Sequence, residues 1–341
     1  MLKIGKKYKT MPRIIFGIVL LLTFVVLSAS CNKPQKSAGP KEKVTIGVAS
    51  IVLSLPVIVA REEGFFSEEG LEATLKYYPS GKKAMEGMFA GEVDIATVAD
   101  TPIVLSSFTR GDFAVFATFV CSYNDNKAIG RKDRGVGKPA DLKGRKIGIA
   151  AGTASHFFAH VYLSEHLIDP SAVKLVDFLP EDLPGALKEG KVDAIVIFEP
   201  YAYRAEKALP GKAVRLPGSD LYRETFNLTV MRSYAKGHPE LLKKVLKAVD
   251  RAITFTKQNS NESIAVITKS VKPEEGLLAS TRDDSVFELS LDHSLLTIFE
   301  DVARWAIANK FTDKTKVPNY LGYFYLDALK EVKPEAVTII K

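Results

Sequence analysis

From residue 44 onward, apolar β-branched segments alternate with segments of helical spacing, and no other feature of the 341-residue chain constrains its fold as strongly. "VTIGVA" (44–49), "LEATLKYY" (71–78), "VDIATVA" (93–99) and "FAVFATFV" (113–120) read as strands. "PVIVAREEG", "SGKKAMEGMFAG" and "TPIVLSSFTRG" read as the helices between them. After "GRKDRGVGKPADLKG" the pattern restarts, with strands at "RKIGIAA", "VKLVDFL" and "VDAIVIF" and helices over 154–167, 181–189 and "EPYAYRAEKAL". Parallel strands need crossover connections, so this succession predicts an α/β architecture with helices on the sheet faces. Because it runs twice, two lobes are expected, each a mostly parallel sheet flanked by helices. Residues 44–132 with 232–341 form lobe 1, and 134–230 form lobe 2. "FNLTVMRSYA" (226–235) returns the chain to the first lobe, and mostly helix follows over 238–257 and 294–310. Two hinge crossovers beside a cleft are the geometry of proteins that close around a ligand.

The first 43 residues are of another kind. Lys3, Lys6, Lys7, Lys9 and Arg13 precede the apolar run "IIFGIVLLLTFVVL" (14–27), which is short for a membrane span and suited to a signal peptide over 1–30. The small residues "LSAS" end against Cys31, which resembles a lipobox and makes Cys31 the expected lipidated residue; ordinary secretory cleavage is the alternative. "NKPQKSAGPKEK" (32–43) reads as a flexible tether completing a 31–43 segment. The expected location is therefore the periplasm or the outer face of the cell membrane, with membrane attachment through the lipid. Of 47 basic residues, five lie in the discarded leader, leaving 42 against 40 acidic ones. A net charge of +2 removes the electrostatic case for nucleic-acid binding. With Cys31 lipidated, Cys121 is the one remaining thiol and no internal disulfide is expected.

Four strand ends carry hydroxyl residues where a helix is expected to start: Ser54 near Pro56, Ser80 before Gly81, Thr101 before Pro102, and the run Gly152 to Ser155. Each reads as an N-cap. Helix starts at the carboxyl ends of parallel strands aim free N–H groups into the crevice where open α/β sheets bind ligands. A small-anion pocket follows from four of them facing one gap. In "GTASHFFAH" (152–160) the serine lacks a nucleophile elbow, and His156, next to Ser155, points about 100° away on a helix. His156 and His160 share a helix face at zinc-like spacing, but third and fourth ligands are missing, so no metal is expected. His156, in the first turn, is placed to donate to a bound anion. Asp100 ends the third strand and Glu199 begins "EPYAY" after another; either they cap the helices that follow, or they face the gap and are then expected to receive an amino group. Tyr201, Tyr203 and Phe226 supply candidate apolar walls. Lys82 and Lys83 sit in a first helical turn, where the dipole disfavours cations, which favours an anionic neighbour. "GVGKPA" (135–140) imitates nucleotide motifs but precedes its strand and contains Pro139. No catalytic residue and no cofactor is expected.

"VAREEGFFSEEGLEATL", "GMFAGEVDIATVADTP", "DLKGRKIGIAAGTASHFF", "EGKVDAIVIFEPYAY", "HPELLKKVLKAVDRA" and "RWAIANKFTDKTKVPNYLGYFYLDAL" together resemble the substrate-binding proteins of ABC transporters of the nitrate, sulfonate, taurine and thiamine-pyrimidine-precursor type. The resemblance spans 44–341. It implies a two-lobed type II periplasmic-binding-protein fold, a monomer that takes one small-molecule ligand to an ABC permease and its ATPase subunit. Matching positions imply ligand contacts at Ser54, Gly81, Asp100, Thr101, Thr153, Ala154, Ser155, His156, Glu199, Phe226 and Asn227. Relatives often carry Gly-Gly where this chain has Ser80-Gly81-Lys82. Two other roles accompany the resemblance: a same-fold pyrimidine-synthesis enzyme, against which the leader argues, and a ligand sensor for a membrane kinase.

Overall fold

The computed structural model describes residues 40–218, 220–271, 276, 277 and 285–340. The leader, Cys31 and most of the tether lie outside the described residues. The last tether positions, Glu42 and Lys43, belong to the first strand.

The chain opens with β1 (Glu42–Ala49), α1 (Leu55–Glu62), α2 (Phe65–Glu68), β2 (Leu71–Tyr78) and α3 (Gly81–Phe89). β3 (Ile95–Ala99), α4 (Asp100–Ser107) and β4 (Phe113–Ser122) follow. Next come β5 (Asn126–Arg131), β6 (Lys146–Ile149), α5 (Ala154–Glu165), β7 (Lys174–Asp177), α6 (Leu183–Glu189), β8 (Ala194–Phe198), α7 (Tyr201–Ala208) and β9 (Ala213–Arg215). β10 (Glu224–Met231), α8 (Arg232–Gly237), α9 (Pro239–Gln258), α10 (Ser260–Val271), β11 (Ser285–Ser290), α11 (His293–Ala308) and α12 (Asp327–Val332) complete it.

Two sheets result. The first has six strands in the order β11-β4-β10-β3-β1-β2, and the second has five in the order β7-β6-β8-β5-β9. The expected parallel strands occupy one side of each sheet: β1 with β2 and β3, and β6 with β7 and β8. The strands nearest the crossovers, β10 and β5, run antiparallel to their neighbours, so both sheets are mixed. That pairing moves the expected boundaries. β5 belongs to the second sheet and β10 to the first. The chain therefore changes sheet between Ser122 and Asn126 and again between Arg215 and Glu224, not at 132/134 and 230/232. The sequence reading missed this because a crossover is decided by long-range pairing, not by local pattern.

Burial follows layer position. β4, "FAVFATFVCS", is buried at every residue, the signature of a strand covered on both faces. β2, at a sheet edge, alternates instead. α9 starts with Pro239 in its first turn and buries Leu241, Leu242, Val245, Leu246, Val249 and Ile253 at helical spacing. Phe119 of β4 meets Phe226 of β10 edge-on, with ring centroids 5.8 Å apart.

Candidate functional site

Three segments at strand ends converge on a cleft of about 450 Å³: Pro79–Lys83, running from the end of β2 into the first turn of α3, Ala150–Thr153 between β6 and α5, and Asp177–Glu181 from the end of β7. The first segment belongs to the first sheet and the other two to the second. Two hydrogen bonds span the junction. The Lys82 ammonium donates to the Ala151 carbonyl at 3.0 Å, and the Tyr201 hydroxyl donates to the Pro79 carbonyl at 3.2 Å. A neighbouring cavity of about 280 Å³ is lined by Lys82, Pro102, Leu105 and Gly152 among others. Gly152 has φ +74°, and a Cβ there would lie 3.1 Å from the Lys82 Nζ, so glycine serves both the turn and the close approach.

The four expected hydroxyl caps resolve differently. Ser80 does cap α3, its Oγ accepting from the Lys83 N–H at 3.3 Å. Ser54 precedes α1 without capping it, and its buried Oγ has no partner. The cap of α4 falls two residues earlier than expected, at Ala99, and the Thr101 hydroxyl donates to Asp100 Oδ1 at 3.1 Å. Thr153 stands at the cap position of α5 but spends its hydroxyl on the Ala150 carbonyl, 2.8 Å away, and lies 2.9 Å from the Ser155 Oγ.

Of the eleven expected ligand contacts, Thr153 lines the 450 Å³ cleft. Gly81 packs α3 onto β3: a Cβ there would fall 3.0 Å from the Thr97 carbonyl oxygen. Ala154 and Ser155 are buried in the first turn of α5. Asn227 accepts from the Thr118 hydroxyl at 2.6 Å and donates to the Val98 carbonyl at 3.3 Å, so it ties strands together. The His156 Nδ1 accepts from the Gly152 N–H at 3.3 Å, and its ring packs edge-on against Trp305 and Phe311, at 5.0 and 4.7 Å between centroids. Burial, then the charge of His160, hold the His156 imidazole down to about 4, so it is neutral, with Nδ1 accepting and the proton on Nε2. His160 packs against the same Trp305, at 5.4 Å, with its Nε2 buried and unpartnered.

This fold and cleft can be set beside known proteins. Residues 53–263 match the family model described as NMT1/THI5 like. The chain belongs to the NMT1/THI5-like family. A Bacillus subtilis protein named for aliphatic sulfonates binding is 25% identical over 72% of this chain and 76% of its own length. The crystal structure of the periplasmic aliphatic sulphonate binding protein SsuA from Escherichia coli superposes with a TM-score of 0.70 at 19% identity, covering 83% of this chain and 97% of that one. The alkanesulfonate-binding protein SsuA from Xanthomonas axonopodis pv. citri, bound to MOPS, gives a TM-score of 0.72 at 16% identity, over 85% and 100% of the two chains. Those two likenesses establish the periplasmic-binding-protein fold.

In this NMT1/THI5-like chain the two carboxylates expected to receive an amine are already occupied. Asp100 Oδ1 accepts from the hydroxyls of Thr101 and Tyr222, and Oδ2 accepts from the N–H and hydroxyl of Thr225, at 2.9 and 3.1 Å. Four donors saturate a carboxylate. Burial pushes Asp100 above the usual carboxylate range, and these bonds pull against that rise. Glu199 Oε2 accepts from the Tyr203 N–H at 2.9 Å, and Oε1 lies 3.3 Å from the Arg215 guanidinium. Both therefore act within the fold, Asp100 on the returning crossover and Glu199 at the start of α7. The groups that do face the cleft are Lys82, Lys83, Asp177 and Glu181. Lys82 and Lys83 had a sequence signal, a cation in a first helical turn; the two acids had none, since only β6–β7 pairing brings them to the cleft.

Proposed function

We propose that this chain is an exported solute-binding lipoprotein that hands a small polar or anionic organic ligand, such as a sulfonate, an amino-sulfonate or a pyrimidine precursor, to an ABC permease and its ATPase. The observation that carries the reading is the cleft of about 450 Å³ walled by both sheets and spanned by the Lys82–Ala151 and Tyr201–Pro79 hydrogen bonds. A volume of that size suits a small molecule, and two crossovers between the sheets suit hinge closure. Family membership and relatives named for sulfonate binding point the same way. In this reading the chain works as a monomer anchored through Cys31, with residues 44–122 and 224–341 moving as one lobe and 126–215 as the other. Among the described residues no helix is long and apolar enough to cross a membrane.

Binding without chemistry is the better reading of the residues at hand. Ser155 has Thr153 as its hydroxyl partner and His156 accepts a backbone N–H, so they do not form a nucleophile–base pair. Burial raises the Cys121 thiol, which disfavours the reactive thiolate.

A thermal-shift panel of sulfonates, amino acids, pyrimidines and oxyanions on the chain lacking residues 1–31 tests the proposal. A ligand at a hundred times its dissociation constant adds about 2.7 kcal/mol of stability. Silence across the whole panel overturns the reading. Permease and ATPase genes beside this one separate transport from kinase sensing, and mass spectrometry of the native protein tests lipidation of Cys31.

A further inference from the structure

The cleft contains one cation whose surroundings do not account for it. Lys82 lies in the first turn of α3, where the helix dipole opposes a positive charge. Its neighbour Lys83 shares that turn but is paired with Glu86 at 2.7 Å. Among the described residues no carboxylate lies within 4.0 Å of the Lys82 ammonium; its bond goes to a neutral carbonyl, Ala151 O. An ammonium has three donors, and that carbonyl engages one. The ammonium also adjoins both cavities, because Lys82 lines the 450 Å³ cleft and the 280 Å³ one beside it. Gly152 leaves the space it occupies.

The facing wall has the opposite sign. Asp177 and Glu181 line the same cleft from the second sheet, and Asp177 Oδ1 accepts the Ala151 N–H at 2.8 Å. Ala151 is thus held at its N–H by a carboxylate and at its C=O by an ammonium.

We propose that Lys82 is the specificity-determining residue of this cleft and that it selects a small organic molecule with one anionic end and a neutral or cationic other end. This rests on the solute-binding reading above. An anionic oxygen takes a charge-assisted bond from Lys82, stronger than the bond to a neutral carbonyl. A second anionic group in the same cleft would meet Asp177 and Glu181, and like charges repel. The rule discriminates by charge placement, which amides and hydroxyls alone do not supply.

Isothermal titration of the exported chain with ethanesulfonate, 2-aminoethanesulfonate and 1,2-ethanedisulfonate tests it. The first two are expected to bind at least about tenfold more tightly than the disulfonate. Lys82→Met should weaken both by about tenfold or more and flatten their salt dependence, because a bond to a charged group is lost. Lys82→Arg should keep most of the affinity, and Asp177→Asn should narrow the gap to the disulfonate. Thermal midpoints of each variant without ligand separate a binding loss from a folding loss. Unchanged ethanesulfonate affinity in Lys82→Met, or a preference of the wild-type protein for the disulfonate, overturns the inference and leaves the solute-binding reading intact. If none of the three binds the wild-type protein, the inference also fails, and the solute-binding reading is then decided by the wider panel.

Discussion

Asp100 at the crossover junction and Lys82 in the cleft are both charged groups between the two sheets, but the fold engages them to opposite extents. At the junction every lone pair of Asp100 is filled, by Thr101, Tyr222 and Thr225. Nearby Glu224 is buried, takes a 2.6 Å bond from Asn126, and is pushed well above its usual range by burial and then by Asp125 and Asp100. In the cleft, the Lys82 ammonium has a carbonyl as its one partner among the described residues, and Thr153 bonds within its own turn. Filled junction groups maintain the geometry of the crossing strands. Cleft groups with exchangeable partners are available to a ligand. A carboxylate at a strand end is thus not a ligand contact by virtue of its position; what matters is whether the fold has already used it.

The sharpest way to break this contrast is Asp100→Ala. It leaves the hydroxyl of Tyr222 and the N–H of Thr225 buried without an acceptor and should cost about 3 kcal/mol or more, seen as a drop in the denaturant midpoint. Normal stability with weakened sulfonate binding would instead move Asp100 into the ligand site. Next is Glu199→Gln, which keeps an acceptor for the Tyr203 N–H but loses the charge facing Arg215. A loss of about 1–2 kcal/mol is expected, with little change in affinity for 2-aminoethanesulfonate. The reverse pattern would restore Glu199 as an amine receptor.

The smallest effect refines the contrast at its edge, where His160 packs on Trp305 with an unpartnered Nε2. Burial lowers its pKa from 6.5, so the folded state binds fewer protons than the unfolded one as pH falls below that value, and stability falls with it. His160→Phe removes both the orphan nitrogen and this penalty. The gain should be under about 1 kcal/mol at pH 8 and should grow toward pH 5, measured as thermal midpoints across that range. A pH-independent gain would show that packing alone is responsible.

Much of the architecture was legible because it is written in short-range patterns. "FAVFATFV" and "VDAIVIF" read as strands, and 238–257 as helix, from nothing more than neighbours in the chain. The site was less legible. Ser54, Thr101 and Thr153 looked like caps, yet the Ser54 hydroxyl is unpartnered and the two threonine hydroxyls bond close neighbours other than the helix N–H groups. Asp177 and Glu181 offered no local signal at all.

By itself the sequence determined the strand–helix alternation from β1 to β4 and from β6 to α7, and the family. Local periodicity and turn chemistry depend on residues a few positions apart, and one chain contains them in full. Only the tertiary structure decided where the chain crosses between sheets and which charges remain for a ligand. Those outcomes depend on partners such as Asp100 with Thr225, 125 residues apart, and Lys82 with Ala151, 69 apart, whose meeting no local pattern encodes.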